Sequence, residues 1–231
     1  MNIDLNCDLG EGASNDEALM PLITSANVAC GAHAGDEATM RRTVQLAKQF
    51  GVAVGVHPGY ADREHFGRRE LQLPPAEVEA LVLAQIERLA EIAQHENAPL
   101  THVKPHGALY NQAARQPDLA HAIAQAILHF NPRLILVGLA GSQLLEIGAQ
   151  AGLRVAAEGF PDRGYNADGT LMSRALPGAL LTAPQAVAAQ AVKLAPQVNT
   201  LCIHGDGPHA VQFAQAVRLA LIQNGFQPQR L

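Results

Sequence analysis

The chain has 231 residues, 48% of them hydrophobic, and a net charge of −5 with 16% charged side chains. That length fits one large domain more easily than two. An acidic balance without a basic face argues against a nucleic-acid partner, and no run approaches the roughly 18 apolar residues of a membrane helix. Aromatic residues are only 4% and tryptophan is absent, so the core is expected to be aliphatic. The N-terminal MNIDLNCDLGEG has neither a basic nor an apolar leader region and does not read as a signal peptide. Cys7, Cys30 and Cys202 sit in apolar, strand-like contexts and form no CxxC pair or disulfide framework, which points to a reduced, cytoplasmic setting.

Taken in order, Ile3 to Asp8 alternates, with Ile3, Leu5 and Cys7 on one face and Asp4, Asn6 and Asp8 on the other. Gly10 and Gly12 break it, and a short helical piece spans Asp16 to Leu22. Ser25 to Cys30 is the second strand. Asp36 is a candidate N-cap for a helix through Phe50, closed by Gly51. Val52 to His57 is the third strand, followed by a loop from Pro58 to Pro74, long enough to suggest function. A helix from Pro75 to about Gln94 opens with proline near its first position. The stretch LTHVKPHGALYN, Leu100 to Asn111, begins as a strand with His102, Lys104 and His106 at a spacing of two, all facing one way while it stays extended. Helical residues interrupted at Gln116–Pro117 come next, then a fifth strand at Arg133–Val137 and a helix at Ser142–Gln150. The sixth strand is Arg154–Ala157. A second long loop, EGFPDRGYNADGTLMSR, precedes a helix at Pro184–Leu194, a seventh strand at Asn199–His204 and a last helix at Pro208–Asn224.

Seven alternations of strand and helix without a hairpin signal imply a parallel sheet with helices outside. A closed seven-stranded (β/α) barrel and an open doubly wound sheet both fit. An open parallel sheet is buried on both faces and reads as continuous apolar runs. Here one face is polar or small, as in Asp4, Asn6 and Asp8, in His102, Lys104 and His106, and in Cys202 and His204. A single α/β domain over 1–231, folded as the barrel, is therefore expected.

In such barrels the active site lies at the carboxyl ends of the strands. Those ends carry Asp8 and Glu11; Asn27 and His33; His57; Lys104 and His106; Glu158, Asp162 and Arg163; and His204 and Asp206. A single histidine at a strand end is usually structural, but the concurrence on one rim points to a site. One carboxylate and two imidazoles, Asp8, His57 and His106, make a common divalent-metal set with positions left for water. Lys104 needs a buried carboxylate partner, with Asp4, Asp8 and Glu158 the candidates, or else binds an anionic substrate. Arg63, Arg68 and Arg69 on the first long loop suit a carboxylate or phosphate. There is no GxxxxGK[ST], no GxGxxG after a strand and no GxSxG. Asn166–Gly169 resembles part of a calcium loop, but Gly164 and Ala175 occupy its first and twelfth ligand positions, so it reads as a turn.

The segments NCDLGEG at 6–12, SANVACGAHAGD at 25–36, HPGYADREHFGRR at 57–69, VKPHGALYN at 103–111, DRGYNADGTL at 162–171 and IHGDGPHAV at 203–211 closely resemble the LamB/YcsF family, also called the PxpA family of 5-oxoprolinase components. The resemblance spans almost the whole chain. It implies a seven-stranded barrel like that of the glycoside hydrolase/deacetylase superfamily. It also implies ATP-dependent opening of 5-oxo-L-proline (pyroglutamate) to L-glutamate, carried out with partner subunits B and C. By position, Asp8, His57 and His106 look like the metal ligands of the superfamily's deacetylases, the metal's identity being open. With no phosphate-binding loop in this chain, ATP is expected to act through the assembled enzyme. Asp8, His57 and His106 then serve the attacking water, and Asn27 and His33 join the substrate site. Lys104 with Arg63 or Arg163 holds substrate, and Glu158 or His204 protonates the leaving nitrogen. The alternatives are a free-standing metal-dependent amide or carbohydrate deacetylase, and a substrate-binding subunit without chemistry of its own.

Overall fold

The computed structural model describes residues 1–231. Seven parallel strands follow one another around a closed barrel: β1 (Asn2–Leu9), β2 (Ser25–Ala29), β3 (Ala53–His57), β4 (Leu100–Val103), β5 (Ile135–Leu139), β6 (Arg154–Gly159) and β7 (Thr200–His204). β1 closes the ring by pairing with both β2 and β7, so Asp8 stands opposite Asn27 on one side and His204 on the other. The surrounding helices are α1 (Asp16–Leu19), α2 (Glu37–Phe50), α3 (Pro75–His95), α4 (Gly107–Ala113), α5 (Pro117–Phe130), α6 (Gln143–Gln150), α7 (Pro184–Leu194) and α8 (Ala210–Gln223). No helix is long and apolar enough to cross a membrane, and all three cysteines are free and buried.

Local chemistry sets these boundaries. The Asp36 carboxylate accepts the Thr39 N–H at 2.8 Å, and Gly51, at φ +68°, ends α2 in the left-handed region that favours glycine. Proline opens α3, α5 and α7, where the missing N–H has no intrahelical partner to lose. Several boundaries shift by one or two residues from expectation, β6 for example running on through Glu158 to Gly159, and one strand was not expected. β5 begins at Ile135, not Arg133, because a turn at Asn131 intervenes: its side-chain oxygen accepts the Arg133 N–H at 3.0 Å and its carbonyl the Leu134 N–H at 3.1 Å. A two-residue strand β8 (Gln227–Pro228) adds to the start of β1, hidden in the sequence by the proline that marks it as an edge.

The apolar faces of the strands point outward. Ile3, Leu5, Val54, Val56 and Leu201 join a 49-residue cluster with the helices, and this is the core. The lumen is polar on the side of β1 to β4 and β7. At its base Asp4 accepts hydrogen bonds from the hydroxyls of Thr24, Ser25 and Thr200. Above it, Asn27 donates to Asn6 Oδ1 at 2.7 Å and to Asp8 Oδ1 at 2.8 Å, and His102 Nε2 donates to Asn27 Oδ1 at 2.7 Å. Burial, with Lys104 nearby, lowers the His102 pKa to about 3, so the ring is neutral. Below Glu158 the β5–β6 side is apolar instead: Ile135, Val137 and Ala156 pack against the C-terminal Leu231.

The His102 ring needs the missing side chain of Gly55. A Cβ there would lie 2.0 Å from His102 Nε2. Gly55→Ala is expected to cost about 1–3 kcal/mol in overpacking and about 1–3 kcal/mol more for the Asn27 oxygen left unpaired, measured by urea denaturation. A cost below about 1 kcal/mol would show that the lumen repacks freely.

Candidate active site

The barrel's carboxyl end is floored by charge. Lys104 follows β4 in extended backbone, its N–H donating to the Val56 carbonyl at 2.9 Å, and its ammonium turns into the lumen. Nζ lies 2.8 Å from Asp8 Oδ1 and 2.9 Å from Glu158 Oε1. Burial disfavours its charge, but Asp8, Cys202 and Glu158 hold the ammonium well above its ordinary pKa. Asp8 is likewise buried, yet His57 and Lys104 keep its carboxyl well below the usual carboxylate range. Of the three candidate partners of Lys104, Asp8 and Glu158 are the ones in place. Asp4 is held by hydroxyls at the base.

Above this floor four side chains converge. His57 ends β3, His106 precedes α4, His33 comes from the loop after β2, and Glu11 is turned inward between Gly10 and Gly12, both at positive φ. One ligand atom from each of Glu11, His33, His57 and His106 lies within 4.8 Å of all the others. Glu11 Oε1 is 3.3 Å from His106 Nδ1, 3.4 Å from His33 Nε2 and 3.7 Å from His57 Nε2. His33 stacks on His106 at 3.8 Å between centroids. The first long loop seals the group: Phe66 and Gly67 take positive φ, and a Cβ on Gly67 would meet His33 Cβ at 2.8 Å. This nitrogen and oxygen donor set suits a divalent transition metal. Asp8, expected among the ligands, lies beside the group, with Oδ1 engaged by Lys104 and Asn27 and Oδ2 3.4 Å from His57 Nε2.

Next to the cluster a cleft is lined by Asp8, Arg68, Tyr110, Arg163, Arg174 and His204 among others. His204 Nδ1 faces Asp162 Oδ2 at 2.7 Å and its ring stacks on Phe160 at 5.6 Å. Burial opposes the Asp162 charge, but His204 beside it keeps the carboxyl below its ordinary range. Arg163 reaches across its loop to the carbonyls of Ala179 and Met172 at 3.2 and 2.6 Å. Arg68 pairs with Asp206 at 2.7 Å.

Several expected site residues sit elsewhere. Glu158 is fully buried under the floor, its oxygens taken by Asn6, Lys104 and the Tyr110 hydroxyl. Asn27 is also beneath the floor, bridging Asp8 and His102. Arg63 does not face the cleft; its guanidinium binds the Gly31 and Gly35 carbonyls at the outside of the loops. Arg174 is the charged cleft residue that the sequence pattern did not single out. It lies on the second long loop, which folds back through antiparallel bridges Arg163–Leu180 and Tyr165–Leu171, a pairing without a hairpin signal.

The LamB/YcsF family profile matches residues 3–231. The chain belongs to the LamB/YcsF family. A lactam utilization protein from Thermus thermophilus is 43% identical over 100% of both chains, with a TM-score of 0.93. An Enterococcus faecalis V583 protein named for cellobiose-phosphate cleavage shares 11% identity over 100% of this chain and 98% of its own, with a TM-score of 0.60. A family 4 carbohydrate esterase from Streptomyces lividans is 11% identical over 98% of this chain and 91% of its own, at a TM-score of 0.50. The last two share the barrel. In this LamB/YcsF chain the family's histidine- and carboxylate-bearing segments therefore meet on one rim, as the position of each strand end requires.

Proposed function

We propose that this chain is the ring-opening subunit of an ATP-dependent 5-oxoprolinase, converting 5-oxo-L-proline to L-glutamate with partner subunits B and C. The observation that carries the reading is the cleft itself. An ionised Asp8 and the His204 ring, held from behind by Asp162, face one space under the arginines of both long loops. Family membership and the likeness to a protein named for lactam utilization support a cyclic amide as substrate.

An unactivated lactam is a poor electrophile. This chain carries no phosphate-binding loop, so phosphorylation of the lactam oxygen by ATP is assigned to the partners. The activated ring then enters the cleft, where Arg68, Arg163 and Arg174 bind its carboxylate and phosphate. Asp8 orients the attacking water through Oδ2 and takes its proton as the new C–O bond forms, Lys104 holding the carboxylate in place through Oδ1. As the ring C–N bond breaks, His204 delivers a proton to the nitrogen, Asp162 having fixed its orientation, and the γ-glutamyl phosphate so formed is hydrolysed by a second water to L-glutamate and inorganic phosphate. Glu158 acts one layer down by holding Lys104 and Tyr110 in place. A divalent cation at the Glu11 and histidine cluster would make a nearby water more acidic.

Glutamate release from 5-oxoproline and ATP, measured with and without subunits B and C, tests the assignment. Release is expected only when all three are present. Equal release from B and C alone would overturn it. Activity of this chain alone on an N-acetyl substrate, without ATP, would favour the deacetylase alternative.

A further inference from the structure

With its rings neutral, the histidine cluster is left unsatisfied by the hydrogen bonds around it. His57 Nδ1 lies 2.7 Å from the Lys104 carbonyl, and His106 Nε2 lies 2.9 Å from the Phe66 carbonyl. A carbonyl only accepts, so each of these nitrogens carries its proton. The other nitrogens, His57 Nε2 and His106 Nδ1, then present lone pairs to one another at 3.0 Å. Glu11 Oε1 and both nitrogens of His33 are buried without a hydrogen-bond partner. Buried polar atoms are almost always paired, and the exceptions ask for a missing partner. Glu11 Oε1 and His33 Nε2 face the same point as the two lone pairs, within 4.8 Å of one another, and all four are electron-pair donors once the His33 proton sits on Nδ1.

We infer that Glu11, His33, His57 and His106 together form a mononuclear site for a first-row divalent cation, with Asp8 outside it. The two carbonyl contacts are the outer supports such a site uses: each fixes a tautomer and aims the opposite nitrogen at the metal. Asp8 Oδ1 is already held by Lys104 and Asn27, and the three-histidine set needs no second carboxylate. His33 is anchored by its stack on His106 and by the close approach of Gly59, where a Cβ would lie 2.7 Å from His33 Nδ1. This assignment stands independently of the ring-opening reading. It concerns which atoms bind the cation, not what the cleft turns over.

The test is metal content and ligand type. Purified chain, stripped with a chelator and dialysed against Zn²⁺ or Co²⁺, is expected to bind about one equivalent, read by elemental analysis. X-ray absorption of the zinc form should show three imidazoles. Glu11→Gln and His33→Ala are expected to weaken Co²⁺ binding by about 100-fold or more, since even the loss of a group supporting a ligand costs about 10–100-fold. Asp8→Asn should retain the metal and its spectrum. If the ligand variants fail to fold, the imidazole count of the unaltered chain still decides. Two imidazoles with loss of metal in Asp8→Asn would overturn the assignment. So would no uptake at all, which would leave a shared proton as the partner of the lone pairs.

Discussion

Lys104→Met is expected to destabilise the protein by about 3–5 kcal/mol, the range for breaking a buried ion pair from one side. Methionine has nearly the length of the lysine stem and is apolar, so little packing is lost. What changes is charge. Lys104 is about 1% exposed, and its ammonium is the one cation between Asp8 and Glu158. Removing it leaves two buried carboxylates facing each other across the lumen, with only neutral donors and the His57 ring nearby. The pKa of Asp8, held low in the unaltered protein partly by Lys104, must then rise in the folded state. A carboxyl whose folded pKa lies above its unfolded value binds protons more tightly when folded, so the variant's deficit should shrink as pH falls from about 7 to about 5. Adding Glu158→Gln should recover part of the loss at neutral pH. Urea denaturation of the single and double variants across that range makes the measurement. A deficit under about 1 kcal/mol would mean that the pair contributes little beyond its desolvation cost.

His204→Gln is expected to lower kcat of the assembled enzyme by about 10²–10⁴, the usual contribution of a positioned acid or base. Glutamine preserves much of the shape and still hydrogen-bonds Asp162, but it cannot carry a proton to a departing nitrogen. KM should change little, because substrate is held by the arginines and not by the imidazole. Asp162→Asn should give a smaller loss with a shifted pH profile. It keeps the ring in place at 2.7 Å while replacing the carboxylate that supports the imidazolium. A kcat within about threefold of the unaltered enzyme in His204→Gln would remove the ring from the chemistry.

Which parts of this molecule could be read in advance follows from the range of the forces involved. The first strand's alternation placed Asp4, Asn6 and Asp8 on one face before any fold was known, because a strand's period of two is a local property. The same holds for His102, Lys104 and His106, which stay extended past the end of β4. The helix starts at Asp36 and at the prolines were legible for the same reason: a cap is satisfied within a turn. β5 slipped by two residues because Asn131 closes a turn by a side-chain contact that hydrophobic pattern does not register. β8 has only two residues and depends on reaching the start of β1, more than 200 positions away.

The rim residues were likewise legible as a set, but not their division of labour. Local order along the chain established that carboxylates and imidazoles stand at the strand ends. Barrel closure decided the rest. It brought Lys104 between Asp8 and Glu158, residues separated from it by 96 and 54 positions, and so engaged one of the two Asp8 oxygens. It sank Glu158 and Asn27 below the floor. It turned Arg63 outward and Arg174 inward through loops whose paths depend on contacts with one another. Strand periodicity acts over neighbouring residues, whereas desolvation and charge pairing act over a few ångströms of space. Only closing the ring converts the first into the second.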